Sequence, residues 1–132
     1  MSFELTILGW TLVLALAQIF LTTLVLNKDF GLKYNVGSRD APAPPMSALG
    51  GRLRRAQANL FETLPLFAAA ILIAHVAGRE TGVTRLGAEL FLGGRVVYLP
   101  IYAAGIAGLR TLAWIVSLVG LVLLLGAILR PA

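Results

Sequence analysis

The sequence predicts an all-α integral membrane protein, an antiparallel bundle of four transmembrane helices. Three observations carry that expectation. The chain is 58% hydrophobic and 13% charged, with a mean hydropathy of +0.88, which leaves too little polar surface to cover a soluble domain. Four long apolar runs recur along the 132 residues. The last three runs are joined by short breaks, and short connections make neighbouring helices antiparallel.

The first run, 5–26, has 22 residues without a formal charge, about 33 Å of helix and enough to cross a bilayer core. It lacks a basic start and a small-residue cleavage pattern before Asn27, so it is expected to remain as an anchor rather than be removed as a signal peptide. Composition then changes abruptly. Gly31, Gly37, Asp40, Pro42, Pro44 and Pro45 are hostile to helix interiors, and the spacing predicts a cytoplasmic loop over about 27–46. Ser47 suits a helix N-cap, and the chain stays compatible with helix from about 48 to 77. That is longer than a bilayer needs, so the span is placed at 60–77 and the earlier turns protrude. Residues 78–82 form a short turn. The third span, 86–109, is interrupted by Glu89, Arg95 and Pro100, and Pro100 removes a backbone donor and predicts a kink between Tyr98 and Tyr102. A second turn is expected over 105–110, and 111–129 is the last span. The whole of 1–132 reads as one domain without an internal repeat.

Charge and cysteine content bound the chemistry. There are no cysteines and one histidine, His75, so disulfides, thiolate metal sites and a cysteine nucleophile are excluded, no metal centre is expected, and any thiol must come from a substrate. The net charge is +5, and seven of the eleven basic residues (Lys28, Lys33, Arg39, Arg52, Arg54, Arg55 and Arg110) fall in the first and third connections. The positive-inside rule places those connections in the cytoplasm and both termini outside. Topology and anionic lipid account for this charge better than nucleic acid does, and no nucleic-acid partner is expected.

The densest group of polar side chains lies at the mouth of the second span. Arg52, Arg55, Asn59 and Glu62 follow one another at steps of three, four and three, so on a helix they form one stripe. A carboxylate at the membrane edge is costly, so Glu62 should face protein, water or a ligand. The stripe is either a binding site or a polar network between subunits. Arg52 and Arg54 read more simply as topology determinants and contacts for lipid head groups. Arg95, within a span, is expected to pair internally with Glu62. Tyr98 and Tyr102, four apart and on one face with Arg95, form a second stripe of interfacial or site aromatics.

These residues give the chain a resemblance to the MAPEG family, the membrane-associated proteins in eicosanoid and glutathione metabolism, in a bacterial form. The matching segments are Gly37-Ser38-Arg39-Asp40 with the prolines that follow, Arg55-Ala56-Gln57-Ala58-Asn59-Leu60-Phe61-Glu62-Thr63 leading to Pro65, Arg95-Val96-Val97-Tyr98 with Tyr102, and Arg110-Thr111. The resemblance implies a four-helix fold assembled as a homotrimer in the bacterial inner membrane, with glutathione as co-substrate bound between subunits near the cytoplasmic side. It gives Arg55, Asn59, Glu62 and Tyr102 as glutathione-binding residues, and Arg110 as the arginine that holds the sulfur as thiolate, with Thr111 beside it. The chain departs from better known eukaryotic members at four places. It has Ala58 for a second arginine, Tyr98 for a histidine, Thr111 for a serine and Trp114 for a tyrosine. Prostaglandin or leukotriene synthesis is not inferred.

The chemistry suits the ligand. Glutathione carries two carboxylates, an ammonium and a thiol, so arginines can fork to the carboxylates and Glu62 can meet the ammonium. A cation beside sulfur lowers the thiol pKa. The expected activity is therefore a glutathione-dependent transferase or peroxidase of detoxifying type, acting on a lipophilic electrophile or hydroperoxide that arrives through the bilayer. Two readings from other classes compete. One is a catalytically inactive relative that binds lipid or a partner. The other is a small four-helix exporter, which is disfavoured because the first span offers only Gln18 and Glu62 lies beside arginines that repel cations.

Overall fold

The computed structural model describes residues 1–131, and among the described residues all regular structure is helical. The helices are α1 (Phe3–Phe30), α2 (Leu32–Val36), α3 (Ala48–Val76), α4 (Gly82–Ala103) and α5 (Ala107–Leu129). Of these, α1, α3 and α5 are long and apolar enough to cross a membrane. The fourth long helix, α4, carries Arg85, Glu89 and Arg95.

Helix ends fall where the backbone chemistry requires, and this corrects two sequence expectations. The loop expected over 27–46 is partly helical. Nothing in Asn27-Lys28-Asp29-Phe30 breaks a helix, and Lys28 suits the negative end of the dipole, so α1 runs on to Gly31, whose φ of +86° stops it. The short α2 follows at once. Asp29 then accepts hydrogen bonds from the Ser47 backbone N–H (3.0 Å) and hydroxyl (2.7 Å), while the Ser47 hydroxyl accepts from Gly50 N (2.9 Å). The end of α1 is thereby tied to the cap of α3. The second correction concerns the last turn. It lies at Ala104–Ile106 rather than 105–110, because Gly105 at φ +79° ends α4 with bonds from its N–H to Tyr102 O (2.9 Å) and from Ile106 N–H to Ile101 O (3.2 Å). Arg110 consequently sits in the first turns of α5, its N–H bonded to Ile106 O at 3.3 Å.

The core lies where α1, α3, α4 and α5 meet. Phe67 of α3 and Phe91 of α4 stack with centroids 4.0 Å apart and planes 11° from parallel, and Leu60, Ile71 and Leu124 are fully buried around them. The most extensive contact joins α4 and α5. It is close because Gly87 and Gly120 face each other: a Cβ on Gly120 would meet Gly87 O at 2.5 Å and Phe91 N at 2.7 Å. Outward faces carry Trp10, Leu12, Val13, Leu16, Phe20 and Leu24, as a lipid-facing surface requires.

The end of the bundle where α1 begins and α5 ends is closed by polar side chains. The buried Glu4 accepts from the Thr84 hydroxyl (2.7 Å), and Arg79 Nη1 donates to Ile128 O (3.0 Å), capping α5. Glu80, between α3 and α4, accepts from the Ser2 hydroxyl at 2.6 Å and lies 3.2 Å from His75 Nδ1. The Ser2 hydrogen bond, and after it His75, holds the Glu80 carboxyl below the usual carboxylate range. The opposite end has a smaller buried cluster of Ala56, Tyr98, Tyr102 and Ala113, and the candidate site is built on it.

Candidate functional site

Three helices bring polar side chains together at that end. Asn59 comes from α3, Tyr98 and Tyr102 from α4, and Arg110, Thr111 and Trp114 from the start of α5. These six line one cavity of about 330 Å³. The four-residue interval between Tyr98 and Tyr102 puts both on one face of α4, where their rings meet edge to face at 5.3 Å. Arg110 and Trp114 are likewise four apart on α5, with Thr111 beside them.

Tyr102 is the centre of the arrangement. Its hydroxyl accepts from Arg55 Nε at 3.0 Å, and the Arg110 guanidinium carbon lies 4.7 Å from its ring centroid. One aromatic side chain thus locates two cations by different means, a hydrogen bond to its polar tip and a cation–π contact to its ring. No acidic residue stands among the cavity walls, so the site is electropositive and suited to an anion. The Thr111 hydroxyl donates within its own helix to Ala107 O at 3.2 Å, so donation to a ligand requires it to rotate away from that carbonyl.

Of the six residues singled out in the sequence, Asn59, Tyr102, Arg110 and Thr111 line the cavity, and Arg55 reaches it through Tyr102. Glu62 does not join them. It is exposed on the outer side of α3 and forms no ion pair among the described residues. The expected Arg95–Glu62 pair is therefore corrected: Arg95, 2% exposed, points inward and donates from Nη1 to Asn59 Oδ1 at 2.6 Å. The three-residue step from Asn59 to Glu62 turns the latter some 60° round the helix, enough to take it out of the interior. Arg52 also differs from its reading as a lipid contact, since Nη1 donates to Ala103 O (3.1 Å) and its guanidinium packs against Gly105. It caps α4 and supports the turn that leads to Arg110.

Tyr98, read from the sequence as an interfacial or site aromatic, is a wall residue, and so is Trp114, which the sequence did not single out as a site residue. The four-residue spacing of Trp114 from Arg110 is the signal that would have found it. A larger cavity, about 680 Å³, lies between α1, α2 and α3 and includes Arg39, Arg54 and Gln57, but none of the six.

Compared with known protein families, the model of the MAPEG family matches residues 7–130, nearly the whole chain. No curated protein matches it.

Proposed function

The chain belongs to the MAPEG family, and on that premise we propose that it is a membrane-bound glutathione-dependent transferase or peroxidase acting on lipophilic electrophiles or hydroperoxides. The observation that carries the reading is the electropositive cavity in which Tyr102 sets Arg55 and Arg110 around Asn59 and Thr111. Glutathione is held by Arg55, Asn59 and Tyr102 through its carboxylates and peptide oxygens, which accept from these donors. Arg110 faces the sulfur and favours the thiolate. In the transferase reaction the thiolate attacks an electrophilic carbon of the second substrate, a C–S bond forms, and the leaving group departs with the bonding pair. The substrate reaches the site from the bilayer, and Trp114 gives it an apolar wall.

The reading includes a homotrimer in the bacterial inner membrane, with α4 crossing the bilayer beside α1, α3 and α5. Glu62 supports the assembly. A carboxylate exposed near the membrane end of α3 is costly when it faces lipid, and contact with a second copy or with the glutathione ammonium removes that cost. Native mass measurement in mild detergent is expected to show three chains, and a stable monomer would remove the shared site. With seven of the eleven basic residues in or beside the segments that join α1 to α3 and α4 to α5, both termini are extracytoplasmic. Reporter fusions at the two ends are expected to be active only outside, and cytoplasmic activity at both would invert the site's orientation.

The direct test is glutathione binding to the detergent-solubilised protein, followed by turnover with a generic aromatic electrophile. Arg55→Ala is expected to weaken glutathione binding by about 1.5 to 3 kcal/mol, the usual net range for hydrogen bonds to charged groups. An unchanged affinity would move the ligand away from α3. A second reading, a member that binds without turnover, is favoured by Thr111, whose hydroxyl proton is engaged by Ala107 O. Binding without a glutathione-dependent thiolate signal would select it.

A further inference from the structure

Arg95 is a cation in the wrong place for an economical core. It is 2% exposed at mid-helix in α4, where an arginine costs far more than an apolar side chain of the same length. Its Nη2 is buried with no partner. It makes no ion pair among the described residues, so charge neutralisation does not explain it. Its hydrogen bond goes to Asn59, at 2.6 Å, and its cation–π contact to Tyr98, whose ring centroid lies 4.4 Å from the guanidinium carbon. Both line the cavity of about 330 Å³ and Arg95 does not. Whatever it does for a ligand it does through those two.

The hydrogen bond fixes a choice that the Asn59 carboxamide would otherwise leave open. An amide end can present either an acceptor oxygen or a donor NH2 group, and the two are nearly the same shape. A guanidinium has donors only, so the atom of Asn59 that faces Arg95 must be the oxygen. The NH2 group is what remains for the cavity. We propose that Arg95 is a positioning residue that turns the Asn59 oxygen away from the cavity, making Asn59 an obligate donor that selects a carboxylate or carbonyl oxygen of the ligand. The absence of acidic walls agrees with this. So does the stacking on Tyr98, which holds the guanidinium plane while one arm reaches Asn59. The inference rests on the reading of the cavity as a glutathione site, and it names the kind of atom that site recognises at α3.

A double-mutant cycle on the full chain tests it, with glutathione as the probe and thermal unfolding as the control for folding. Asn59→Ala is expected to weaken binding about tenfold, the low end for a hydrogen bond to a charged group. Arg95→Met is expected to weaken it to a similar degree, and to add less than about twofold in the Asn59→Ala background, since a residue that acts through Asn59 has nothing left to position. Arg95→Lys keeps a donor-only head on a stem nearly as long, so Asn59 must still turn its oxygen toward it, and this variant is expected to recover most of the lost affinity. A purely electrostatic or purely structural role for Arg95 predicts instead that Arg95→Met costs its full amount again in the Asn59→Ala background. Additive losses in the double variant, or a folded Arg95→Lys that binds no better than Arg95→Met, would overturn the proposal while leaving the glutathione reading intact. If Arg95→Met does not fold, Arg95→Gln, whose shorter amide can present either atom to Asn59, replaces it in the cycle, with the same sub-additive loss expected and additive losses overturning the proposal. No glutathione binding by the parent protein would overturn the functional reading and the proposal together.

Discussion

Arg110→Ala is expected to slow turnover about a hundredfold while changing glutathione affinity little, because the proposed partner of this guanidinium is an anion that exists only after the thiol has lost its proton. Removal of one preorganised donor from a developing anion costs about 10² to 10³ in rate, and the low end suits a surface cavity that water can enter. The bound thiol should titrate at higher pH in the variant, so glutathione-dependent thiolate absorbance shifts upward along the pH axis together with the rate. Arg110 also rests on the Tyr102 ring, and Arg110→Lys separates the two roles. Lysine restores a positive charge but not a planar group over the ring, so it should recover most of the thiolate signal. Equal small losses of binding and rate in Arg110→Ala and Arg55→Ala would show that neither arginine is dedicated to sulfur.

Gly120→Ala is expected to be the most damaging single methyl in the molecule. The new carbon would lie 2.5 Å from Gly87 O, 2.7 Å from Phe91 N and 2.9 Å from Leu90 Cβ. Two of those three are backbone atoms that no rotamer change can move, so α4 and α5 must separate. Overpacking of this kind costs about 1 to 3 kcal/mol. Because α4 supplies Tyr98 and Tyr102 and α5 supplies Arg110, Thr111 and Trp114, activity should fall along with the melting temperature. Gly126→Ala is the internal control. A Cβ there meets nothing within 4 Å, and replacing this last-turn glycine of α5 gains up to about 1 kcal/mol of helix propensity. The two substitutions should therefore shift thermal unfolding in detergent in opposite directions, and a tolerated Gly120→Ala would mean that the helices pack less closely than the structure describes.

Long-range composition made the helical membrane character legible, since a charge-free run like 5–26 has few alternatives to a spanning helix. Element ends were harder. Both corrected boundaries turn on a single glycine at positive φ, Gly31 and Gly105, and each lies near other glycines or prolines that looked equally able to stop a helix. Gly108 is tolerated inside α5, for example, where composition alone suggested a turn. At the site, the spacing of Arg55, Asn59 and Glu62 showed which residues share a broad face of α3. It did not show where the face divides between interior and exterior, and that division falls between Asn59 and Glu62. The partner of Arg95 followed from the same division and was missed with it. Trp114 lies in an apolar helix, where an aromatic reads as packing until the neighbouring helices are placed.

The three-residue turn at Ala104–Ile106, with the glycine contacts that follow it, also bears on how the chain is made. Emerging alone, α4 would partition poorly, since a mid-helix arginine opposes insertion by about 2.5 to 3.5 kcal/mol. α5 has no charge between Thr111 and Leu129 and follows with almost no delay. On the reading that α4 crosses the bilayer, the interval is too short for it to settle on one side of the membrane first, and the pair is expected to enter as one helical hairpin in which the apolar arm carries the charged one. Chains truncated before α5 should leave α4 accessible to water-soluble reagents, with Arg95 never reaching the interior it occupies in the finished fold.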